Sequence, residues 1–364
     1  VSEEPGGGSV SRAGLIGLSL GMAAAGAAAG IAIERLTLGR ARQRARERLD
    51  AVAPFGSLRG RPRTVAAEDG TELYVELDGL EDAPLTVVFC HGYCLNQDVF
   101  HFQRAAFRGD LRLVFWDQRS HGRSERSRSY LAGRPASIDQ LGGDLGAVLD
   151  AVVPSGPIVL VGHSMGGMSV MALAEQRPRL FRDRVAGVAL IGTTAGQWET
   201  VTLGLSPVGT RLWRRLGPGV VRLLGSQVGL VETTRRLGAD VSAVFYRRFS
   251  FGGDGKDVDP AVARFADQLL DSTPIDVVAE FYPAFAAHEK TAALTALAEL
   301  PVLVLAGTED LLTPVAHSEA IARALPRAEL ALLPGAGHLV LLERPEEVNA
   351  RLAELIQRAG GPEV

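Results

Sequence analysis

The chain has 364 residues, 46% of them hydrophobic and 22% charged, with a formal net charge of -4. That composition belongs to a globular protein and excludes wholesale disorder and a multi-span membrane protein; the charge balance argues against a nucleic-acid partner. The length accommodates one large α/β domain carrying an insertion. The two cysteines, Cys90 and Cys94, have no CxxC or CxH neighbours, which excludes a disulfide framework and a zinc site.

Residues 1–12, with Gly6, Gly7, Gly8 and Ser9, are too polar and glycine-rich to pack and read as a disordered tail. Ala13 to Ile33 carries no charge. At about 1.5 Å per helical residue it is long enough to cross a hydrocarbon core of roughly 30 Å, so residues 13–33 form a candidate transmembrane helix. A cleaved signal peptide and an alanine-rich soluble helix are the alternatives. Glu3, Glu4 and a single Arg12 precede the run, whereas Arg35, Arg40, Arg42, Arg44, Arg46 and Arg48 follow it. Arginines at that flank resist translocation, which predicts one N-terminal pass, a cell-membrane location and a cytoplasmic catalytic domain. Residues 34–62 read as a charged juxtamembrane linker closed by Pro54, Gly56, Gly60 and Pro62.

From Arg63 onward, strands and helices alternate. Strands are predicted at 63–66, 73–78, 86–90, 112–116, 158–161, 185–191, 302–306 and 329–333, and helices at 99–107, 137–152, 165–176, 314–325 and 345–358. Ser137 is placed to cap the second helix. Near-continuous apolar strands between helices predict a mostly parallel central sheet covered by helices on both faces. The alternation covers residues 63–193 and 301–359. Between them, residues 194–300 carry helical segments with scattered aromatics, an inserted helical cap. Trp198, Trp213, Phe245, Tyr246, Phe249, Phe251, Phe281, Tyr282 and Phe285 either pack the cap's own core or line an apolar pocket.

Gly162-His163-Ser164-Met165-Gly166 follows the strand at 158–161 and opens a helix, the context in which a GxSxG match gains meaning. The glycines allow a sharp turn that presents Ser164 at the strand end. A serine is a weak nucleophile unless a base accepts its proton and a third group orients that base. Of seven histidines, His338 follows the last strand, where a base is needed. His91 and His121 read as loop and turn residues, His163 as the variable elbow position, and His101, His288 and His317 as helical. The orienting acid follows the strand at 302–306; Asp310 is favoured there, with Glu309 as the alternative.

At these residues the chain resembles the α/β-hydrolase superfamily, specifically its serine esterase and lipase-like members. The order Ser164, Asp310, His338 is that superfamily's order. His91-Gly92-Tyr93 after the third strand is similar to the family's HG-aromatic loop. Asp117 to Ser124 resembles its DxRGxGxS turn, with Ser120 and His121 departing from the usual residues. The resemblance implies an α/β-hydrolase fold with an inserted cap and an oxyanion hole from the backbone N–H groups of Tyr93 and Met165, Cys94 being a less favoured donor, with position rather than side chain deciding the donor. It also implies hydrolysis of carboxylic esters, with lipophilic acyl esters as substrates if the anchor brings the site near lipid. Cofactor-free haloperoxidase or perhydrolase chemistry, acyl transfer or thioester cleavage, and an inactive membrane-tethered binding protein remain alternatives. No Walker loop or HExxH occurs, and no GxGxxG follows the first strand, so neither a metal nor a nucleotide cofactor is expected.

Overall fold

The computed structural model describes residues 54–198, 249–253, 255 and 258–362, with isolated positions at 211, 212, 215, 216 and 219. The tail at 1–12, the apolar run at 13–33 and most of the linker lie outside the described residues, as do Trp213, Phe245 and Tyr246 of the cap. Among the described residues no helix is long and apolar enough to cross a membrane.

Eight strands form one sheet: β1 (Arg61–Ala66), β2 (Glu72–Gly79), β3 (Thr86–Cys90), β4 (Arg112–Trp116), β5 (Ile158–His163), β6 (Val185–Ile191), β7 (Val302–Gly307) and β8 (Glu329–Leu333). Their order is β1-β2-β4-β3-β5-β6-β7-β8. β2 runs antiparallel to both β1 and β4, and every pairing from β4 to β8 is parallel. The helices are α1 (His101–Phe107), α2 (Ile138–Val152), α3 (Met165–Gln176), α4 (Pro178–Asp183), α5 (Pro260–Asp271), α6 (Ile275–Ala286), α7 (Val315–Ala324) and α8 (Pro345–Arg358). Single helical turns occur at Arg128–Leu131 and Val340–Glu343.

Successive strand side chains point to opposite faces, and two cores result. Val87, Phe89, Leu113, Phe115, Val159 and Val161 enter one core with Leu352 and Leu355 of α8. Val88, Cys90, Val114, Trp116, Ile158 and Leu160 enter the other with residues of α2, α3 and α7. Both faces are therefore dry, which is why these strands read as unbroken apolar runs. Ser137 caps α2 as predicted, its hydroxyl accepting from Gln140 N at 3.2 Å. The strand ends differ from expectation by a residue or two: β5 continues to His163 and β1 begins at Arg61. His288 falls beyond the end of α6 rather than on a helix; it bonds the Thr194 carbonyl oxygen through Nε2 at 2.8 Å. Strand order reverses at β3 and β5, and in open α/β sheets the carboxyl ends at such a switch point border a crevice.

Candidate active site

Ser164 stands between β5 and α3 with φ 53° and ψ -119°. A non-glycine residue at positive φ is strained and persists only where its surroundings hold it. Here Ser164 N donates to Ile191 O at 2.9 Å, and Ser164 O accepts from Gly167 N at 2.9 Å and from Thr193 Oγ1 at 2.7 Å. The glycine after the elbow is required by packing: a Cβ on Gly166 would lie 2.0 Å from the Cys90 carbonyl oxygen. The turn is thus wedged between the ends of β3 and β6.

His338 lies in the loop after β8, its Nδ1 2.8 Å from Asp310 Oδ2. The His338 side chain is 7% exposed and that of Asp310 is fully buried. Asp310 is itself held on both oxygens: Oδ1 accepts from Leu312 N and Thr313 N, each at 2.8 Å, and Oδ2 accepts from Thr313 Oγ1 at 2.7 Å. Burial pushes the Asp310 carboxyl up, but the His338 imidazole and the Thr313 donors outweigh it and hold the group below its ordinary value. An ionised Asp310 makes Nδ1 the protonated nitrogen of neutral His338 and leaves Nε2 as the acceptor. Glu309, the alternative acid, accepts instead from the Gly253 N–H.

The turn bearing Ser164 and the loop bearing His338 meet directly. His163, next to Ser164, bonds the His338 carbonyl oxygen through Nε2 at 2.9 Å, and the two imidazoles are 5.0 Å apart. Gly192, which follows the Ile191 acceptor of Ser164, has room for a Cβ only at 3.5 Å from Asp310 Oδ2 and 3.6 Å from His338 Nδ1. The Asp310–His338 pair therefore borders the same β6 end that holds the serine.

The loop after β3 closes the third side. A Cβ on Gly92 would lie 3.0 Å from Ser164 Cβ, which puts the chain entering Tyr93 against the nucleophile. His91 bonds Gly92 O through Nδ1 at 2.8 Å and accepts from Gln118 N at Nε2 at 2.9 Å. Gln118 in turn accepts from Ser169 Oγ of α3 at 2.8 Å. Met165 is the first residue of α3, so its N–H has no partner within the helix. Above this cluster, Met165, Met168, Phe281 and Phe285 form an apolar wall, with Tyr93 and Trp198 against it. Phe251 belongs elsewhere: it is buried in the sheet core with Phe265.

Burial keeps three histidines neutral. It pushes His91 down to about 4, and His121 and His163 down to about 3. Cys90, also buried, is pushed up to about 12. Both cysteines are free thiols, and among the described residues no group of three or more His, Cys, Asp or Glu could hold a metal ion. Thr313, His163 and Gln118 brace the site but went unnoticed in the sequence as supports. Only His163 in the elbow and Gln118 in the turn after β4 sit in motifs that offer a signal; Thr313 sits in none.

The chain belongs to the alpha/beta hydrolase family, whose model matches residues 87–351. Among curated proteins it is similar to a dihydrolipoyllysine-residue acetyltransferase component of the acetoin cleaving system of Pseudomonas putida, at 27% identity over 82% of this chain and 70% of that protein. It is also similar to a non-heme haloperoxidase of Rhodococcus erythropolis, at 29% identity over 80% of this chain and 98% of that protein. Among solved structures, a thermophilic esterase from Thermogutta terrifontis matches with a TM-score of 0.64 and 27% identity, over 82% of this chain and 98% of the esterase.

Proposed function

We propose that this hydrolase cleaves carboxylic esters through an acyl-Ser164 intermediate. The observation that carries the reading is the buried 2.8 Å contact between His338 Nδ1 and Asp310 Oδ2, set against the β6 end that also holds the strained Ser164 elbow. In this reading His338 Nε2 takes the Ser164 hydroxyl proton as Oγ adds to the ester carbonyl, and the imidazolium that forms is stabilised by Asp310. The carbonyl oxygen becomes an oxyanion that accepts from Tyr93 N–H and Met165 N–H. His338 then returns the proton to the leaving alcohol. Water, deprotonated by the same nitrogen, releases the acid and restores Ser164.

The wall of Met165, Met168, Phe281 and Phe285 supports a lipophilic acyl group. The likeness to a solved esterase at 27% identity supports ester hydrolysis. The test is a panel of p-nitrophenyl esters of increasing chain length together with fluorophosphonate labelling. Turnover rising with chain length and covalent capture lost in Ser164→Ala support the reading; an enzyme inert to every ester and to the probe refutes it. A second reading, cofactor-free haloperoxidase or perhydrolase activity, is favoured by the likeness to the Rhodococcus protein. Halogenation of monochlorodimedone that depends on both acetate and peroxide distinguishes it. We also propose that residues 13–33 anchor the chain in a membrane, on the uncharged run and the arginines that follow it; carbonate-resistant pelleting that disappears on deleting residues 1–48 tests this.

A further inference from the structure

The Tyr93 side chain has an engagement of its own. Its hydroxyl donates to the carbonyl oxygen of Val278 at 2.5 Å, and its ring meets Phe285 edge-on at 5.0 Å between centroids. Both partners lie on α6. That helix is tied a second time, to the turn after β4. Glu280 of α6 is 3% exposed; it accepts from Ser120 Oγ at 2.9 Å and from Arg126 Nη2 at 3.1 Å, while Arg126 also pairs with Asp276.

Ser120 occupies a position that favours glycine, with φ 65°. Its hydroxyl compensates by serving both sides, accepting from Ser127 N at 2.9 Å while donating to Glu280. The departure from the glycine of the family turn thus places a hydroxyl that joins the turn at Ser127 to Glu280 of α6. The loop bearing Tyr93 is also under local constraint, since Cys94 follows at φ 58°.

Resting on the acyl-enzyme reading above, we propose that Tyr93 is a positioning residue whose phenol couples its own backbone N–H to α6, with Ser120, Glu280 and Arg126 forming the latch that seats that helix. Donor strength toward an oxyanion falls steeply with misplacement. Phe281 and Phe285 of this same helix are buried in the apolar cluster against which Tyr93 and Trp198 pack. An acyl group that packs on the partly buried Tyr93 and Trp198 of this cluster steadies α6, and through Val278 O the Tyr93 donor. Binding energy gained far from the reacting carbon is thereby realised in the transition state.

The experiment compares Tyr93→Phe, Ser120→Gly, Glu280→Gln and the doubles with Tyr93→Phe, all in the full chain. Tyr93→Phe is expected to lower kcat about five- to tenfold with KM within about twofold, the scale of one lost hydrogen bond. Affinity for a trifluoromethyl ketone, which forms an oxyanion on Ser164, should fall by the same factor. Ser120→Gly relieves the strained φ, so its fold is protected; it and Glu280→Gln should shift kcat in the same direction, with little further loss in the doubles. Hydrogen–deuterium exchange should quicken in peptides covering residues 91–96 in all three single variants while thermal midpoints stay near wild type. Unchanged exchange in that loop in Tyr93→Phe, or full multiplicativity in the doubles, overturns the proposal. If the wild type is inert to fluorophosphonate the hydrolase reading fails alone, and the exchange comparison still decides whether Tyr93 couples loop and helix.

Discussion

His163 bonds the carbonyl oxygen of His338 through Nε2 at 2.9 Å, so the residue before Ser164 holds the backbone of His338. Because Nε2 must carry the proton to donate there, His163 is the Nε2–H tautomer, and its buried Nδ1 has no hydrogen-bond partner among the described residues. Replacing His163 with leucine removes the tether while filling the space. The expected outcome is a kcat/KM about fivefold lower, with fluorophosphonate labelling slowed in parallel, since loss of one such bond is worth about 1 kcal/mol in placing the base. Labelling at the wild-type rate would show that the base loop is held without it.

The pair of Asp310 and His338 gives a sharper prediction. Asp310→Asn keeps the shape but offers an N–H or a neutral oxygen to Nδ1, so the imidazole is no longer held as the Nδ1–H tautomer. By analogy with serine proteases, kcat should drop by about 10³- to 10⁴-fold. Thr313→Val removes one donor from Oδ2 and leaves the ion-pairing partner in place. Its effect on kcat should be modest, about tenfold or less. Steady-state rates for the two variants separate these effects.

The main residues of the candidate site were readable in the sequence because each follows a strand, and motif and strand end coincide. Gly162 to Gly166 names the elbow, and the loops at Asp310 and His338 follow β7 and β8. The supports were not readable. Thr313 bonds Asp310 only three residues away, in a loop that no motif marks, whereas His163 acts through an atom that meets its partner only after distant strands align, His163 and His338 being 175 residues apart. Tyr93 shows the same gap, for its backbone role follows from a motif, whereas its hydroxyl bonds Val278 185 residues away. Strand limits were legible to within a residue or two because burial on both faces leaves an unbroken apolar signature. The amphipathic ends, such as Arg61 and Pro62 in β1, are exposed and carry no such mark.

Stability should depend on pH through the buried histidines. His91, His121 and His163 have folded values of about 4, 3 and 3 against an ordinary 6.5, so burial favours their neutral forms. Below 6.5 the unfolded chain binds protons that the folded one does not, and stability falls as pH falls toward the folded values. Each group contributes a slope of about 1.4 kcal/mol per pH unit within that window. Denaturant midpoints measured between pH 7 and pH 5 should therefore decline. In His121→Phe, whose ring fits the contact with Phe281 at 5.2 Å, the decline should be shallower. An equally steep decline in that variant would remove His121 from the account.

Packing around the elbow predicts a loss of folding rather than of chemistry. In Gly166→Ala the new methyl meets backbone, the Cys90 carbonyl oxygen at 2.0 Å and the His91 carbonyl oxygen at 2.7 Å. Neither can rotate away, so β3 and α3 must separate. The cost should be about 3 kcal/mol, at the upper end for an overpacked core, and urea denaturation measures it. A variant as stable as wild type would mean that the strand end yields at little cost.

The buried Arg119 and Asp144 make the last prediction. Their guanidinium and carboxylate join through two bonds of 2.5 Å, at side-chain exposures of 1% and 2%, and Asp69 adds a contact to Arg119 at 2.8 Å. Burial pushes the Asp144 carboxyl up, and Arg119 opposes it. Removing one partner leaves a charge in a dry site, so Asp144→Ala should cost about 3–5 kcal/mol. Removing both charges avoids that penalty. The double variant Arg119→Met with Asp144→Leu should therefore be more stable than Asp144→Ala, provided Asp69, 11% exposed on its side chain, rehydrates. Equilibrium denaturation of the two variants and wild type decides the matter. A double variant less stable than the single would show that the pair contributes net stability to the turn after β4, from which Ser120 and Arg126 reach α6.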